Sequence, residues 1–260
     1  MEEPATDPTA SATYADVDRS RDPAEAAAWM DRLAAWPVVQ AYKAHTRALL
    51  DTVDGLVLDV GCGLGDDVRS FGGRGIGVDP SSTMLATATQ RGGSFVAGDA
   101  HRLPFPAACF GGVRADRVLQ HLADPRTAVR ELVRVTRPGG LVVVADPDQA
   151  TLHIDGPEAG LTEIVRRFRA EKGIRNGFIA GQMVDVLTDA GAHDVERTSW
   201  TMDIRDPMDA FGITTWSHFL QGRGWFGEME AERFEASLAM AARRGHFRYR
   251  VDIVVTWGGV

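Results

Sequence analysis

The chain has 260 residues, 44% hydrophobic and 25% charged, which suits one large globular domain or two small ones. Lys and Arg number 28 against 36 Asp and Glu, a net charge of −8 that argues against nucleic acid as a partner, because phosphate contacts need clustered cations. Two cysteines, Cys62 and Cys109, exclude a disulfide scaffold or a cysteine-built zinc site. No apolar run reaches the roughly 18 residues that span a bilayer, and the acidic start has no signal-peptide pattern, so the expectation is a cytoplasmic protein with no membrane partner.

Residues 1–20 are small and polar and are expected to be disordered, with Tyr14 marking where order begins. Residues 21–54 read as a helical cap. Asp22-Pro23 is a cap-then-proline start, and Trp29, Leu33 and Trp36 share one face. Pro37 breaks that helix, and Val38, Tyr42, His45 and Leu49 define a second.

Residues 55–260 read as the one domain, to which 21–54 form the cap. Leu56–Val60 is a buried strand, followed by a glycine turn and a short helix at 66–71. Strands are expected at 75–79, 94–97, 110–115 and 141–145, with helices at 82–90 and 125–136 between them. Repeated βα units of this length predict a doubly wound, Rossmann-like α/β sheet. Residues 150–245 are expected to form an insertion after the fifth strand, with helices around Leu161–Phe168, Met183–Ala190 and Phe234–Ala241 and a weak strand at 194–202. Strict alternation from Phe247 to Trp257 marks a final strand.

Asp59-Val60-Gly61-Cys62-Gly63-Leu64-Gly65 ends the first strand and opens a helix, where open α/β sheets place ligands. Its G-x-G-x-G spacing differs from the G-x-G-x-x-G of dinucleotide sites and suits a ligand whose amino-acid portion lies across the turn. Asp79 ends the second strand, where a carboxylate can accept from ribose hydroxyls. Asp99 follows the third, where it can accept from an adenine amine. Taken singly, each of these is explained by a cap or turn; three acidic residues at successive strand ends are not.

The runs LDVGCGLGDD, GVDPSSTML, GDAHRLPFPAACFGGV and RVTRPGGLVVV resemble a class I S-adenosylmethionine-dependent methyltransferase, of the small-molecule branch that includes the quinone-biosynthesis C-methyltransferases. The resemblance covers residues 55–146. It implies a seven-stranded sheet whose last strand is antiparallel and S-adenosyl-L-methionine as cofactor, with no metal. By position it assigns the methionine part to Gly61, Cys62, Gly63 and Gly65, its amino group to Asp59, partly through backbone, and the ribose to Asp79 beside Pro80. Met84, Asp99 and the Ala100 amide would meet the adenine. Arg117 is a candidate for the cofactor carboxylate or an acidic substrate group.

Methyl transfer from a sulfonium is an in-line displacement that needs alignment, exclusion of water and, for a hydroxyl or carbon acceptor, a base. His121, after the fourth strand, is the first base candidate, and Asp148 or His153, in the loop expected after the fifth, the second. Arg175-Asn176-Gly177-Phe178 is a turn that can present polar groups to a substrate. Phe211, Trp216, Phe219, Trp225 and Phe226 suggest a lid or dimer surface. Cys62 is expected to be a small packing residue, and Cys109 to start a buried strand. The expected activity is methylation of a hydroxyl or carbon of a small apolar metabolite by a monomer or homodimer. The alternatives are a non-methylating cyclisation or decarboxylation on the same fold, or a protein substrate.

Overall fold

The computed structural model describes Asp18 and residues 23–260. The expectations for residues 1–17 and 19–22, Tyr14 and the Asp22 cap among them, lie outside the described residues. Among the described residues the first helices are α1 (Pro23–Ala34) and α2 (Pro37–Leu50). The βα alternation follows with β1 (Val57–Val60), α3 (Asp66–Ser70), β2 (Gly75–Asp79), α4 (Ser82–Gln90), β3 (Ser94–Ala97), β4 (Phe110–Asp116), α5 (Pro125–Val135) and β5 (Thr136–Asp155). The remainder comprises α6 (Ala159–Phe168), α7 (Met183–Asp189), β6 (His193–Ile204), α8 (Trp216–Gly222), α9 (Glu228–Arg243) and β7 (Arg248–Gly259).

One sheet of seven strands runs β3-β2-β1-β4-β5-β7-β6. The pairs from β3 to β5 are parallel, and β7 lies antiparallel to both neighbours. This is the Rossmann-like sheet with an antiparallel last strand. Successive side chains of a strand point to opposite faces, so one strand feeds two cores. Val143 and Ala145 join Tyr42, Phe168, Trp216 and Phe234 on one face. Val142 and Val144 join Val129, Leu132, Val186 and Leu187 on the other.

Local signals account for most boundaries. Asp124 accepts from the Thr127 amide at 3.0 Å and Pro125 opens α5, whose Ala128, Leu132 and Val135 are buried as the 3.6-residue period requires. In α2 the buried stripe is Val39, Tyr42, Lys43, Thr46 and Leu50, one position from the apolar reading, because Lys43 serves buried carboxylates. His45 packs between Trp200 and Trp257 at 5.0 and 5.3 Å.

Three expectations are corrected. The segment after Ala145 is not a loop: β5 continues to Asp155 because β7 supplies an antiparallel partner for Asp146–Asp148 and His153–Asp155. The aromatic cluster is not mainly a surface, since Trp216 and Phe226 are buried in the core beside Phe234. Cys109 is exposed and precedes β4, its Sγ 3.1 Å from the Pro106 carbonyl.

Candidate functional site

The carboxyl ends of β1, β2 and β4 open into a cavity of about 420 Å³, within the range of small-molecule pockets. The glycine turn forms one wall. Gly61 has φ +68°, and a Cβ there would lie 2.4 Å from Val118 Cγ2, so the turn closes against the segment after β4 only with glycine. Gly63 has φ +50°, and its amide donates to Asp79 Oδ2 at 2.9 Å. Asp79 Oδ1 accepts from the Ser81 amide at 2.9 Å. Burial pushes the Asp79 carboxyl up, and these two amides oppose the shift.

Of the residues singled out in the sequence, Gly61, Gly63, Asp79, Pro80, Met84, Asp99, Ala100, Arg117 and His121 line this one cavity. The Asp99 side chain is 64% exposed and accepts from the His101 amide at 2.9 Å, bonds that hold its carboxyl low despite partial desolvation. Arg117 sits at φ +58°, fixed by its amide donating to the Ala145 carbonyl at 2.6 Å.

Five candidates lie elsewhere. The Asp59 carboxylate is buried 3.0 Å from Arg114 Nη1, turned into a charge network away from the cavity. Cys62 Sγ packs toward Gly77, and burial pushes its thiol up, followed in effect by Asp59 and Asp79. Gly65 faces the Phe95 ring at the start of α3. Asp148 sits against Gly181, while its neighbours Pro147 and Gln149 face the cavity, as strand alternation demands. His153 is 60% exposed and pairs with Asp155 at 2.8 Å. Asn176 also reads differently, since its Nδ2 donates to the carbonyls of Leu119 and Leu122 and so fastens the turn after β4.

The other half of the cavity takes Trp29 and Leu33 from the helical cap and Phe211 from the aromatic cluster, all marked in the sequence. With them are Met202, Tyr249 and Ile253, which were not singled out as lining. These residues make it largely apolar, and Arg169, Gln149 and Gln120 add polar groups. The alternation of β7 gave a signal for Tyr249 and Ile253; nothing marked Arg169. Asp18 also lines the cavity and caps α4, accepting from the Ser82 and Thr83 amides at 2.9 and 3.2 Å.

Beneath the glycine turn lies a network that spacing did not reveal. Arg114, 1% exposed, reaches Asp59, Asp67 and Asp116 at 3.0, 2.9 and 2.7 Å. Lys43 joins Asp67 and Asp116, and the Tyr42 hydroxyl donates to Asp116 at 3.1 Å. Desolvation pushes Asp59 up to about 7, while Arg114 and Lys43 hold Asp67 and Asp116 low.

His121 is half-buried on the cavity wall. Desolvation, then the charges of Arg169, Arg117 and Arg175, lower it to about 3, so the native imidazole is neutral at pH 7. In the unfolded chain it takes up a proton near pH 6.5. Stability is therefore lost as pH falls from 6.5 toward 3, because only the unfolded state binds that proton. Between pH 7 and 5 the wild type should lose about 1–2 kcal/mol more than His121→Gln, read from urea midpoints. Parallel profiles for the two proteins would contradict this assignment. The difference between proteins is the test, because Asp59, raised to about 7, acts with the opposite sign in both.

Comparison with known proteins gives the same reading of this region. Residues 58–144 match the family described as "Methyltransferase domain". An uncharacterised 37.1 kDa protein of transposon Tn4556 from Streptomyces fradiae is 37% identical over 175 residues, 63% of this chain and 51% of that protein. A demethylmenaquinone methyltransferase of Mycolicibacterium vanbaalenii is 39% identical over 93 residues, 35% of this chain and 41% of the relative. The chain thus spans about half or less of these curated relatives' length. The YcgJ protein of Bacillus subtilis has the same fold, with a TM-score of 0.53 at 20% identity, covering 82% of this chain and 97% of the other. The match to that methyltransferase-domain family runs from β1 into β5, residues 58–144, about a third of the chain.

Proposed function

We propose that this protein transfers a methyl group from S-adenosyl-L-methionine to a hydroxyl or carbon of a small, largely apolar metabolite. The observation that carries this reading is a single cavity with two unlike ends. One holds the glycine turn, Asp79 and Asp99; the other holds Trp29, Leu33, Met202, Phe211 and Ile253. Gly61, at φ +68° with its Cα side packed on Val118, lets the turn close tightly at the cavity wall. Asp79 offers a carboxylate for ribose hydroxyls, Met84 an apolar wall for the adenine, and the Ala100 amide its edge. The relatives named demethylmenaquinone methyltransferase favour an apolar acceptor of small size.

S-adenosylmethionine, when bound, supplies a methyl that is already electrophilic. The chain's own task is to align the acceptor with it, exclude water and manage one proton. The apolar walls do the first two. Of His121, Asp148 and His153, the cavity wall includes His121. A neutral imidazole there can accept a hydrogen bond from an acceptor hydroxyl, but at a pKa of about 3 it is a weak base. We assign it to positioning, so His121→Asn should keep most of the turnover.

In domain terms, the proposal gives residues 55–146 to the cofactor, and the helical cap of 21–54 with the 150–245 insertion to the acceptor. The chain would work in the cytoplasm as a monomer or homodimer; its free cysteines fit a reducing compartment. No helix among the described residues is long and apolar enough to cross a membrane. Calorimetry with S-adenosylmethionine should show binding, and labelled cofactor incubated with a metabolite extract should mark a small molecule. Absence of binding overturns the reading; a converted product with no added methyl would point to cyclisation or decarboxylation instead.

A further inference from the structure

The structure buries three basic side chains among the described residues, Lys43, Arg114 and Arg169. Lys43 and Arg114 are matched by Asp59, Asp67 and Asp116. Arg169 is 4% exposed, and no carboxylate among the described residues pairs with it. An unpaired buried charge costs several kcal/mol, so a protein retains one only where something offsets it. The partial offset here is aromatic. The guanidinium lies 4.8 Å from the Trp216 ring centroid and 5.4 Å from that of Phe211. Such contacts favour a cation but satisfy no N–H. Arg169 Nε and Nη1 and Gln149 Oε1 are buried without a hydrogen-bond partner, and the buried Tyr249 hydroxyl faces the Arg169 guanidinium.

These groups belong to one place. Arg169, Tyr249 and Gln149 all line the apolar end of the cavity, and Phe211 packs on both Arg169 and Tyr249. The backbone is irregular at the same point. Helix α6 passes into a wider turn, Arg169–Gly173, closed by the Ile174 amide on the Arg169 carbonyl at 3.1 Å. Such π-type turns are rare and are frequent at functional sites. Phe211, which walls the guanidinium, sits in the left-handed region at φ +50°, a conformation rare for a bulky residue.

We infer that Arg169 and Tyr249 form an anion subsite that selects an acceptor carrying a carboxylate on an apolar body. This rests on the methyltransferase reading above, whose acceptor it specifies. A carboxylate matches the planar guanidinium fork and brings one charge against one. A phosphate brings nearly two and would leave one unpaired between apolar walls.

The test is binding to the protein saturated with S-adenosylhomocysteine, using 2-naphthoate, 2-naphthamide and 2-naphthyl phosphate as probes. 2-Naphthoate should bind at least about tenfold more tightly than the neutral amide or the phosphate, the worth of one charge-assisted hydrogen bond. Arg169→Gln should abolish that preference, Arg169→Lys should restore part of it, and Tyr249→Phe should reduce it several-fold if Arg169→Gln does not fold. Equal affinity for acid and amide, tighter binding of the phosphate, a preference that survives Arg169→Gln, or no binding of any probe overturns the inference. S-adenosylhomocysteine affinity is measured separately in each protein. If it fails in the wild type, the methyltransferase reading fails while the acid-over-amide comparison still judges the subsite. If it falls in Arg169→Gln, Arg169 serves the cofactor's own carboxylate and the inference is wrong.

Discussion

Replacing Arg114 with methionine is expected to destabilise the fold by about 3–5 kcal/mol, because it leaves buried carboxylates without their cation. Arg114 contacts Asp59, Asp67 and Asp116 within 3.0 Å, and it is 1% exposed, so water cannot take its place. Lys43 covers Asp67 and Asp116 in part, but desolvation already pushes Asp59 up to about 7 with the guanidinium present. Without it, Asp59 must take up a proton and Asp116 loses its nearest cation. Arg114→Met should therefore be less destabilised at pH 5 than at pH 8, since protonating a raised carboxyl stabilises the native state below its pKa. Asp59→Asn should cost far less than Arg114→Met, because it removes a group whose ionisation is already strained. A double variant, Arg114→Met with Asp59→Asn, should recover part of the loss, giving a coupling above about 1 kcal/mol in a double-mutant cycle. Urea denaturation at two pH values measures all of this. A loss under about 1 kcal/mol for Arg114→Met would mean that the network is neutral to stability.

The position of this network explains which part of the site could be read in the sequence. The glycine turn, Asp79, Asp99 and the βα alternation are local signals. Turn geometry, strand period and capping all act within a few residues, and, β5 apart, each of those elements appears within a residue or two of its expected place. The Asp59 carboxylate turns away from the cavity, although its type and its place at the strand end fit a ligand equally well. What turned it inward is Arg114, 55 residues later but laterally paired through the β1–β4 register. The same limit hid the length of β5, which depends on a partner strand a hundred residues away, and hence the true facing of Asp148 and His153. Arg169 lies in a helix end whose pattern is ordinary; its importance comes from what fails to pair with it, and no single sequence shows that.

Asp79→Ala should weaken S-adenosylhomocysteine binding about 100-fold, the larger of the two effects on function. Its carboxylate already accepts from the Gly63 and Ser81 amides at 2.9 Å, so it both shapes the glycine turn and presents its remaining lone pairs to the cavity. Two charge-assisted hydrogen bonds to ribose hydroxyls, at about 1.5 kcal/mol each, give about 3 kcal/mol, which is the factor of 100. Loss of the turn's amide acceptor would add to this, so the two contributions need separating. Asp79→Asn keeps an acceptor for one amide and removes the charge, and should lie between wild type and Asp79→Ala. An analogue without the ribose hydroxyls separates them further. Wild type should prefer S-adenosylhomocysteine to that analogue by about 100-fold, and Asp79→Ala should bind both alike. If Asp79→Ala retains the preference, the ribose is held elsewhere in the cavity. Asp18 would be the next residue to change, since it lines the same wall beside Ser81.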